Sequence, residues 1–285
     1  MSALRRECRH RDLNCPAPRA NALSNRRTRE SYASTSSERL ALDRHDYAIL
    51  LAICVPVTSP DDYRRYALPG IDRVLEVAPD TVVLAPHHGG SYQRAVNGML
   101  DELAARSDLD AAVVIHQDVE LLNADIGSVL QECFADPRLA IVGTLGGRGR
   151  SGLTSAVEPR GARVELANGV LVQDPGGVFA RVSAVDGALI GLSPWAVKNL
   201  RCDPRFEQGF HGYDMDLCLQ ARAHGKLIAV ADLPIRHANP HVFRDGRGEA
   251  WVAADLAIRR KWDLARAPAG MEWTLGPDQG GTHQG

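Results

Sequence analysis

Short apolar runs alternate with helical segments through the first half of the chain, and this alternation restricts the fold more than any other feature. Residues 47–57 form a continuous apolar run typical of a buried strand, and the Ser-Pro-Asp at 59–61 then signals the start of a helix. Further apolar runs lie at 81–85, 111–115 and 140–143, with helical segments between them. Strands separated by helices at these intervals predict crossover connections and a mainly parallel sheet.

The second half of the chain predicts antiparallel pairing. Asn168-Gly169 lies between extended segments at 163–166 and 170–172, and this dipeptide favours a tight hairpin turn. A further strand at 182–185 and a helix at 214–224 follow. We therefore expect an α/β fold, with a mainly parallel central sheet, helices on both faces and a mixed antiparallel second half.

Composition sets the domain limits. The chain has 285 residues, of which 45% are hydrophobic and 24% charged, as in ordinary globular proteins. Residues 1–44 hold ten arginines against five acids and lack a sustained apolar pattern, so we predict a disordered basic leader there. The Gly- and Pro-rich residues 264–285 predict a disordered tail, which leaves 45–263 as the folded domain.

Charge, hydropathy and cysteine spacing exclude several classes of partner and location. The formal net charge of -2 gives no reason to expect a nucleic-acid partner. The longest apolar stretch is half of the roughly 20 residues that a transmembrane helix needs, so we expect no membrane anchor. The six cysteines are scattered without a CxxC pair, which indicates reduced thiols and a cytoplasmic location.

Polar residues follow the third apolar run at the point where its strand ends. His116, Asp118 and Glu120 alternate there, and on an extended chain they would project to one side. Ligands of open α/β sheets collect at such carboxyl ends. A strand that simply ends in polar residues, one of them a capping aspartate, would give the same pattern without a functional site.

Two further polar positions stand out downstream. Asp214 lies in the first turn of a predicted helix, where it either caps the helix or points into a cleft. His237 follows the next strand, and a lone histidine is as readily a structural residue.

Taken together, His116-Gln117-Asp118-Val119, Gly212-Tyr213-Asp214-Met215-Asp216-Leu217 and His237 resemble motifs of glycosyltransferase family 2, in its glycosyltransferase-like branch with the GT-A fold. The resemblance implies an inverting, hexosyltransferase-type enzyme. It would move a sugar from a nucleotide-sugar donor to the hydroxyl of a glycan, lipid or small-molecule acceptor, assisted by Mn²⁺ or Mg²⁺.

The resemblance also assigns roles to single residues. It makes Asp118 and His237 metal ligands and Asp214 the catalytic base, and the alternating row adds Glu120 as a third predicted metal ligand. The predicted substrate-binding residues are His116, Gln117, Asp186, Gly187, Trp195 and Asp216. Two residues depart from the family pattern: His116 stands where an aspartate is frequent, and Tyr213 replaces the usual glutamate.

Two other functions fit parts of the pattern. A degenerate GT-A module that binds a nucleotide without turnover would account for Tyr213 and the weakened acidic motif. His116, Asp118 and His237 also match the two-histidine, one-carboxylate ligands of iron oxygenases that use 2-oxoglutarate. Those enzymes have an all-β barrel, whereas helical segments interrupt the strands here.

Overall fold

The structure is a computed structural model of the chain. It describes residues 49–148, 158–161, 163–166, 169–172, 179–206, 211–238 and 247–263. The predicted leader at 1–44, the predicted tail at 264–285 and the turn residue Asn168 lie outside these ranges.

The strands of the described residues are short. They are β1 (Leu51–Cys54), β2 (Val82–Leu84), β3 (Ala111–Ile115), β4 (Val119–Leu121), β5 (Leu139–Gly143), β6 (Leu145–Arg148), β7 (Glu158–Gly161), β8 (Val164–Leu166), β9 (Gly169–Val172), β10 (Phe179–Arg181), β11 (Ala184–Val185), β12 (Leu189–Leu192), β13 (Leu227–Ala231) and β14 (Ile235–His237).

Helices connect most of these strands. They are α1 (Pro60–Asp62), which continues through a π-helical turn (Tyr63–Ala67) into α2 (Leu68–Val77), then α3 (Tyr92–Ala104), α4 (Ile126–Phe134), α5 (Pro194–Asn199), a 3₁₀ turn (Pro204–Phe206), α6 (Tyr213–Ala223) and α7 (Arg247–Lys261). The predicted helix start at Ser59 is confirmed, because its hydroxyl accepts a hydrogen bond from the Asp62 N–H at 3.2 Å. None of the described helices has the length and apolar character to cross a bilayer.

A seven-stranded central sheet organises the fold. Its strand order is β10-β13-β5-β12-β3-β1-β2. The strands β2, β1, β3, β5 and β13 run in one direction, whereas β12 and β10 run against their neighbours. Two smaller sheets, β11-β6-β7 and β4-β14-β8-β9, flank it. The two segments that were expected to form a hairpin are β8 and β9, and they pair antiparallel.

Helices cover both faces of the central sheet. On one face, Val96 and Leu100 of α3 belong to a core cluster that also includes Leu217 of α6. On the other, Ile71 of α2 and Leu130 of α4 belong to a second cluster. The apolar residues of β1, β3 and β5 are buried on both sides, which explains their continuous apolar runs. The predicted α/β fold class is thereby confirmed, and the all-β barrel that an iron oxygenase requires is not present in the described residues.

The sequence prediction misses two strands of the central sheet, β10 and β12, and makes β11 of a flanking sheet two residues too long. β12 is an apolar tetrapeptide directly before Ser193, and periodicity alone does not separate so short a run from the start of the following helix. The strand predicted at 182–185 is limited to Ala184–Val185. β12 positions the site, because the turn that precedes it carries Asp186 and Gly187.

Candidate active site

Three predicted functional residues meet beyond the carboxyl end of β3. His116, Asp118 and His237 each offer one ligand atom, and these atoms lie within 4.8 Å of one another. His237 Nε2 is 3.5 Å from Asp118 Oδ1, and both side chains are largely buried. Two imidazole nitrogens and one carboxylate form a donor set that fits a divalent transition-metal ion.

Backbone pairing brings these residues together from distant parts of the chain. After β3 ends, the Val119 N–H donates to the His116 carbonyl at 3.1 Å, so the chain turns out of the central sheet and into β4. β4 pairs antiparallel with β14, which places His237 opposite Val119. The Ala238 N–H then donates to the Asp118 carbonyl at 3.0 Å. The turn and the β4–β14 register therefore build the ligand group.

Glu120 does not belong to this group. Its Oε1 accepts a hydrogen bond from Arg73 at 2.7 Å, and its Oε2 accepts one from Arg236 at 2.5 Å. The expected one-sided row of His116, Asp118 and Glu120 is wrong, because the turn after β3 ends the extended conformation on which that alternation depends. The structure instead places His116, predicted to bind substrate, with the metal-ligand candidates.

A group of aromatic side chains lies behind His116. The Tyr213 hydroxyl is 2.7 Å from His116 Nε2, donates to the Gly187 carbonyl at 2.8 Å, and accepts a hydrogen bond from the Tyr92 hydroxyl at 3.3 Å. Tyr213 begins α6 directly after Gly212, which has a φ of 91° that favours glycine. We call Tyr92, Tyr213 and Gly187 the tyrosine cluster. Tyr213 is a functional candidate that the sequence marked only as a departure from the family motif, and Tyr92 packs against it.

Asp214 lies on the same side of the fold, beside the turn between β11 and β12. Burial and then the charge of Asp186 raise the pKa of Asp214 from 3.8 to about 7, against hydrogen bonds from the backbone of Met215 and Gly187. The Met215 N–H donates to Asp214 Oδ1 at 2.8 Å. Asp186 is exposed, and its Oδ1 accepts the Ala188 N–H at 2.9 Å. A carboxyl group that titrates near neutrality is suited to accept a proton at physiological pH.

Two of the ligand candidates, His116 and Asp118, are in the protonation states that bind a metal. Burial, followed by the neighbouring His237, lowers the pKa of His116 to about 4, so its imidazole is neutral at pH 7. Burial works against ionisation of Asp118, but the hydrogen bond and charge of His237 and the charge of His116 outweigh it and lower the pKa of Asp118. Neutral imidazole and ionised carboxylate are the forms that metal coordination requires.

Gln117 connects the end of β3 to the loop after β1. Its Oε1 accepts hydrogen bonds from the backbone N–H groups of Thr58 at 2.7 Å and Ser59 at 2.9 Å. These bonds hold the start of α1 beside the ligand group. The observed contacts of Gln117 are therefore those of a residue that positions this loop, whereas a direct role in substrate binding stays a prediction.

The structure does not bring Asp216 and Trp195 to the ligand group. Asp216 is fully buried, and its carboxylate pairs with Lys261 at 2.7 Å and accepts the Trp262 indole N–H at 2.8 Å. The Trp195 ring is covered by the Lys226 ammonium, 4.7 Å from the ring centroid. Asp216 therefore links α6 to the end of α7. Trp195 packs against Lys226 rather than against the ligand group.

A cavity of about 410 Å³ runs along β2 and the adjacent face of α3. Most of the residues that line it are apolar, among them Val83 and Met99. Arg94, Glu102 and His88 add polar side chains. His88 Nδ1 is 3.1 Å from the Gly90 carbonyl, which can only accept, so Nδ1 carries the ring proton. Nε2 is then an acceptor, and it is buried without a hydrogen-bond partner among the described residues. The cavity thus presents a buried acceptor in apolar surroundings.

The chain is similar to a curated biosynthesis protein. No family model matches the chain. The streptomycin biosynthesis protein StrF of Streptomyces griseus is 33% identical over 211 residues, which cover 72% of each protein. Among solved structures, A197 from STIV gives a TM-score of 0.42 at 14% identity, covering 69% of this chain and 87% of that one. GalNAc-T7 with UDP, GalNAc and Mn²⁺ gives 0.47 at 8% identity, covering 76% of this chain and 50% of that one. The identity to StrF over most of both sequences shows that the chain belongs to the StrF family.

Proposed function

We propose that the protein is an inverting, metal-assisted glycosyltransferase that uses a nucleotide-sugar donor. The observation that carries this proposal is the meeting of His116, Asp118 and His237 at the carboxyl end of β3, with the carboxyl group of Asp214 beside the same tyrosine cluster. A metal-binding group and a titratable carboxyl at one sheet edge are the two parts that this reaction needs.

The chemistry divides between these two parts. His116, Asp118 and His237 would hold a divalent ion, which, when bound, supplies positive charge next to the departing diphosphate. Mn²⁺ suits two imidazoles and a carboxylate better than Mg²⁺, which prefers oxygen ligands. Asp214 accepts the proton of the acceptor hydroxyl through a carboxylate oxygen as that hydroxyl attacks the anomeric carbon. A single displacement with one base inverts the anomeric configuration.

The cavity along β2 offers a place for the donor's base. A volume of about 410 Å³ is within the usual range for small-molecule sites, and its apolar walls suit a flat heterocycle. His88 Nε2 accepts a hydrogen bond, so it favours a base with a ring N–H on its pairing edge. We place the base there, since β2 and β3 end at the same edge of the sheet.

The StrF relative supports a biosynthetic role. Its name assigns that protein to streptomycin biosynthesis. We propose that the present protein likewise glycosylates an intermediate of a biosynthetic route, with small-molecule, glycan and lipid-linked acceptors all included in the test.

The test combines binding and turnover. Purified protein is screened with a panel of nucleotide-sugars, with and without Mn²⁺, by thermal shift and then by donor consumption with the three acceptor classes. The variants Asp118→Asn and Asp214→Asn are compared with Glu120→Gln, a matched control whose carboxylate is held by arginines away from the site.

We expect one nucleotide-sugar to raise the melting temperature only with Mn²⁺. Asp118→Asn should abolish that metal-dependent shift, whereas Asp214→Asn should keep it and lower turnover by roughly 10² to 10⁴. Glu120→Gln should keep both. Binding without turnover would favour the degenerate module, a response to Fe²⁺ with 2-oxoglutarate would favour an oxygenase, and no metal-dependent binding of any donor would contradict the proposal.

A further inference from the structure

Two residues of the site that are distant in sequence touch each other. The atoms His116 Nε2 and Tyr213 Oη are 2.7 Å apart although the residues are 97 positions apart in sequence. This contact links the ligand group to the tyrosine cluster.

Counting protons fixes the direction of this hydrogen bond. The Gly187 carbonyl can only accept, so the single hydroxyl proton of Tyr213 is donated to it across 2.8 Å. The Tyr92 hydroxyl donates its own proton to the Tyr213 oxygen at 3.3 Å. His116 Nε2 therefore carries the ring proton and donates it to the Tyr213 oxygen, since two acceptors at 2.7 Å would repel each other.

This assignment determines which nitrogen of His116 serves as a ligand. A neutral imidazole with its proton on Nε2 has its lone pair on Nδ1. We propose that Tyr213 is a positioning residue that holds His116 in this tautomer, so that His116 coordinates the metal through Nδ1 together with Asp118 and His237. The inference rests on the metal role of His116 in the proposed function and extends it to a residue outside the ligand group.

The surroundings of Tyr213 are built for this arrangement. A Cβ at Gly187 would overlap the Tyr213 hydroxyl oxygen and lie 2.7 Å from the adjacent ring carbon. Glycine at 187 is therefore required for the hydroxyl to reach the carbonyl that takes its proton. Tyr213 is buried, and the centroids of the Tyr213 and Tyr92 rings are 4.7 Å apart. Partners that orient a ligating histidine through its second nitrogen typically change metal affinity by 10- to 100-fold.

The experiment measures tautomer and affinity separately. Two-bond ¹⁵N–¹H spectra of metal-free protein labelled at histidine report which nitrogen of His116 is protonated, with His116→Ala used to assign the signal. Mn²⁺ affinity is measured from the electron paramagnetic resonance signal of free Mn²⁺ in wild type, Tyr213→Phe, Gly187→Ala and the matched control Tyr92→Phe. Circular dichroism and urea unfolding establish that each variant is folded.

We expect the wild-type His116 to be protonated at Nε2, and Tyr213→Phe to bind Mn²⁺ roughly 10- to 100-fold more weakly. Gly187→Ala should weaken binding in the same direction. Tyr92→Phe should change affinity by less than about threefold, because the bonds among His116, Tyr213 and Gly187 remain.

The outcomes separate this inference from the proposed function. Wild-type protein that binds no Mn²⁺ overturns the metal role on which both depend. Wild-type protein that binds Mn²⁺ while Tyr213→Phe binds equally well, or a wild-type His116 protonated at Nδ1, overturns the inference and leaves the metal site standing. Equal losses in Tyr213→Phe and Tyr92→Phe also overturn it, because they would show a general packing effect.

Discussion

Replacement of Asp214 by asparagine should stabilise the protein at neutral and alkaline pH while removing the proposed base. Its pKa is raised from 3.8 to about 7 by burial and by Asp186, so the folded state disfavours the ionised carboxylate. The unfolded chain ionises this group near pH 4. Folding is therefore penalised increasingly between pH 4 and pH 7, and the penalty is constant above pH 7.

The size of the effect follows from the two pKa values. A difference of about three pKa units at about 1.4 kcal/mol each gives an upper limit of about 4 kcal/mol. The Asp214 side chain is only half-buried, so solvent screens part of its charge. We therefore expect Asp214→Asn to raise the free energy of unfolding by about 1–2 kcal/mol at pH 8.5. Asparagine keeps an oxygen that can accept the Met215 N–H, so the helix start is preserved. Below pH 4, where both states of the aspartate are protonated, the gain should vanish.

Urea unfolding of wild type and Asp214→Asn at pH 4, 5.5, 7 and 8.5 measures this difference directly. Titrating groups that do not interact with Asp214 are shared by the two proteins and cancel in the subtraction. A gain that rises through the window from pH 4 to pH 7 and then levels off would support the reasoning. A difference independent of pH, or a variant less stable than wild type at pH 8.5, would refute it. The same raised pKa predicts that wild-type turnover rises with pH until the base is ionised above about pH 7.

Two further variants test other parts of the structure. Asp216→Ala should lower the free energy of unfolding by about 3–5 kcal/mol, because it leaves the Lys261 ammonium without one of its two carboxylate partners in a buried position; urea unfolding checks this, and a loss below about 1 kcal/mol would contradict the linking role. His88→Ala should weaken donor binding roughly threefold to tenfold by removing one acceptor, whereas the exposed His87→Ala should not; calorimetric titration with the donor found in the screen measures both, and equal affinities of the two variants would place the base elsewhere.

The sequence predicted the layers of the fold well because buried parallel strands leave a strong signal. The apolar runs that became β1, β3 and β5 are continuous, since both faces of these strands are covered. The antiparallel strand β12 left a weaker signal, because its four apolar residues merge with the cap of α5. Strand order and the turn out of the sheet after β3 depend on long-range pairing, which local patterns do not encode.

The sequence predicts only part of the site, because long-range strand pairing brings its residues together. A family resemblance predicts Asp118 and His237, and the β4–β14 register places them side by side. The alternation that predicts Glu120 does not continue past the end of β3, so Glu120 lies outside the ligand group. Tyr92 lies on the buried face of α3, where the sequence predicts only a core residue. Its hydrogen bond to the Tyr213 hydroxyl is visible only in the structure.

Asp214 and Asp216 show how one short motif yields two opposite uses of a carboxylate. Two residues along a helix differ by about 200° in direction, so the two side chains leave α6 on opposite faces. Asp216 meets Lys261 and Trp262, which satisfy its charge and make it a structural anchor. Burial first and the nearby carboxylate of Asp186 second disfavour the charge of Asp214 and raise its pKa to about 7, so its proton exchanges readily near neutral pH. Deep burial alone therefore does not mark the functional acid: the buried charge of Asp216 is balanced by a cation, and the half-buried charge of Asp214 is the one available for proton transfer.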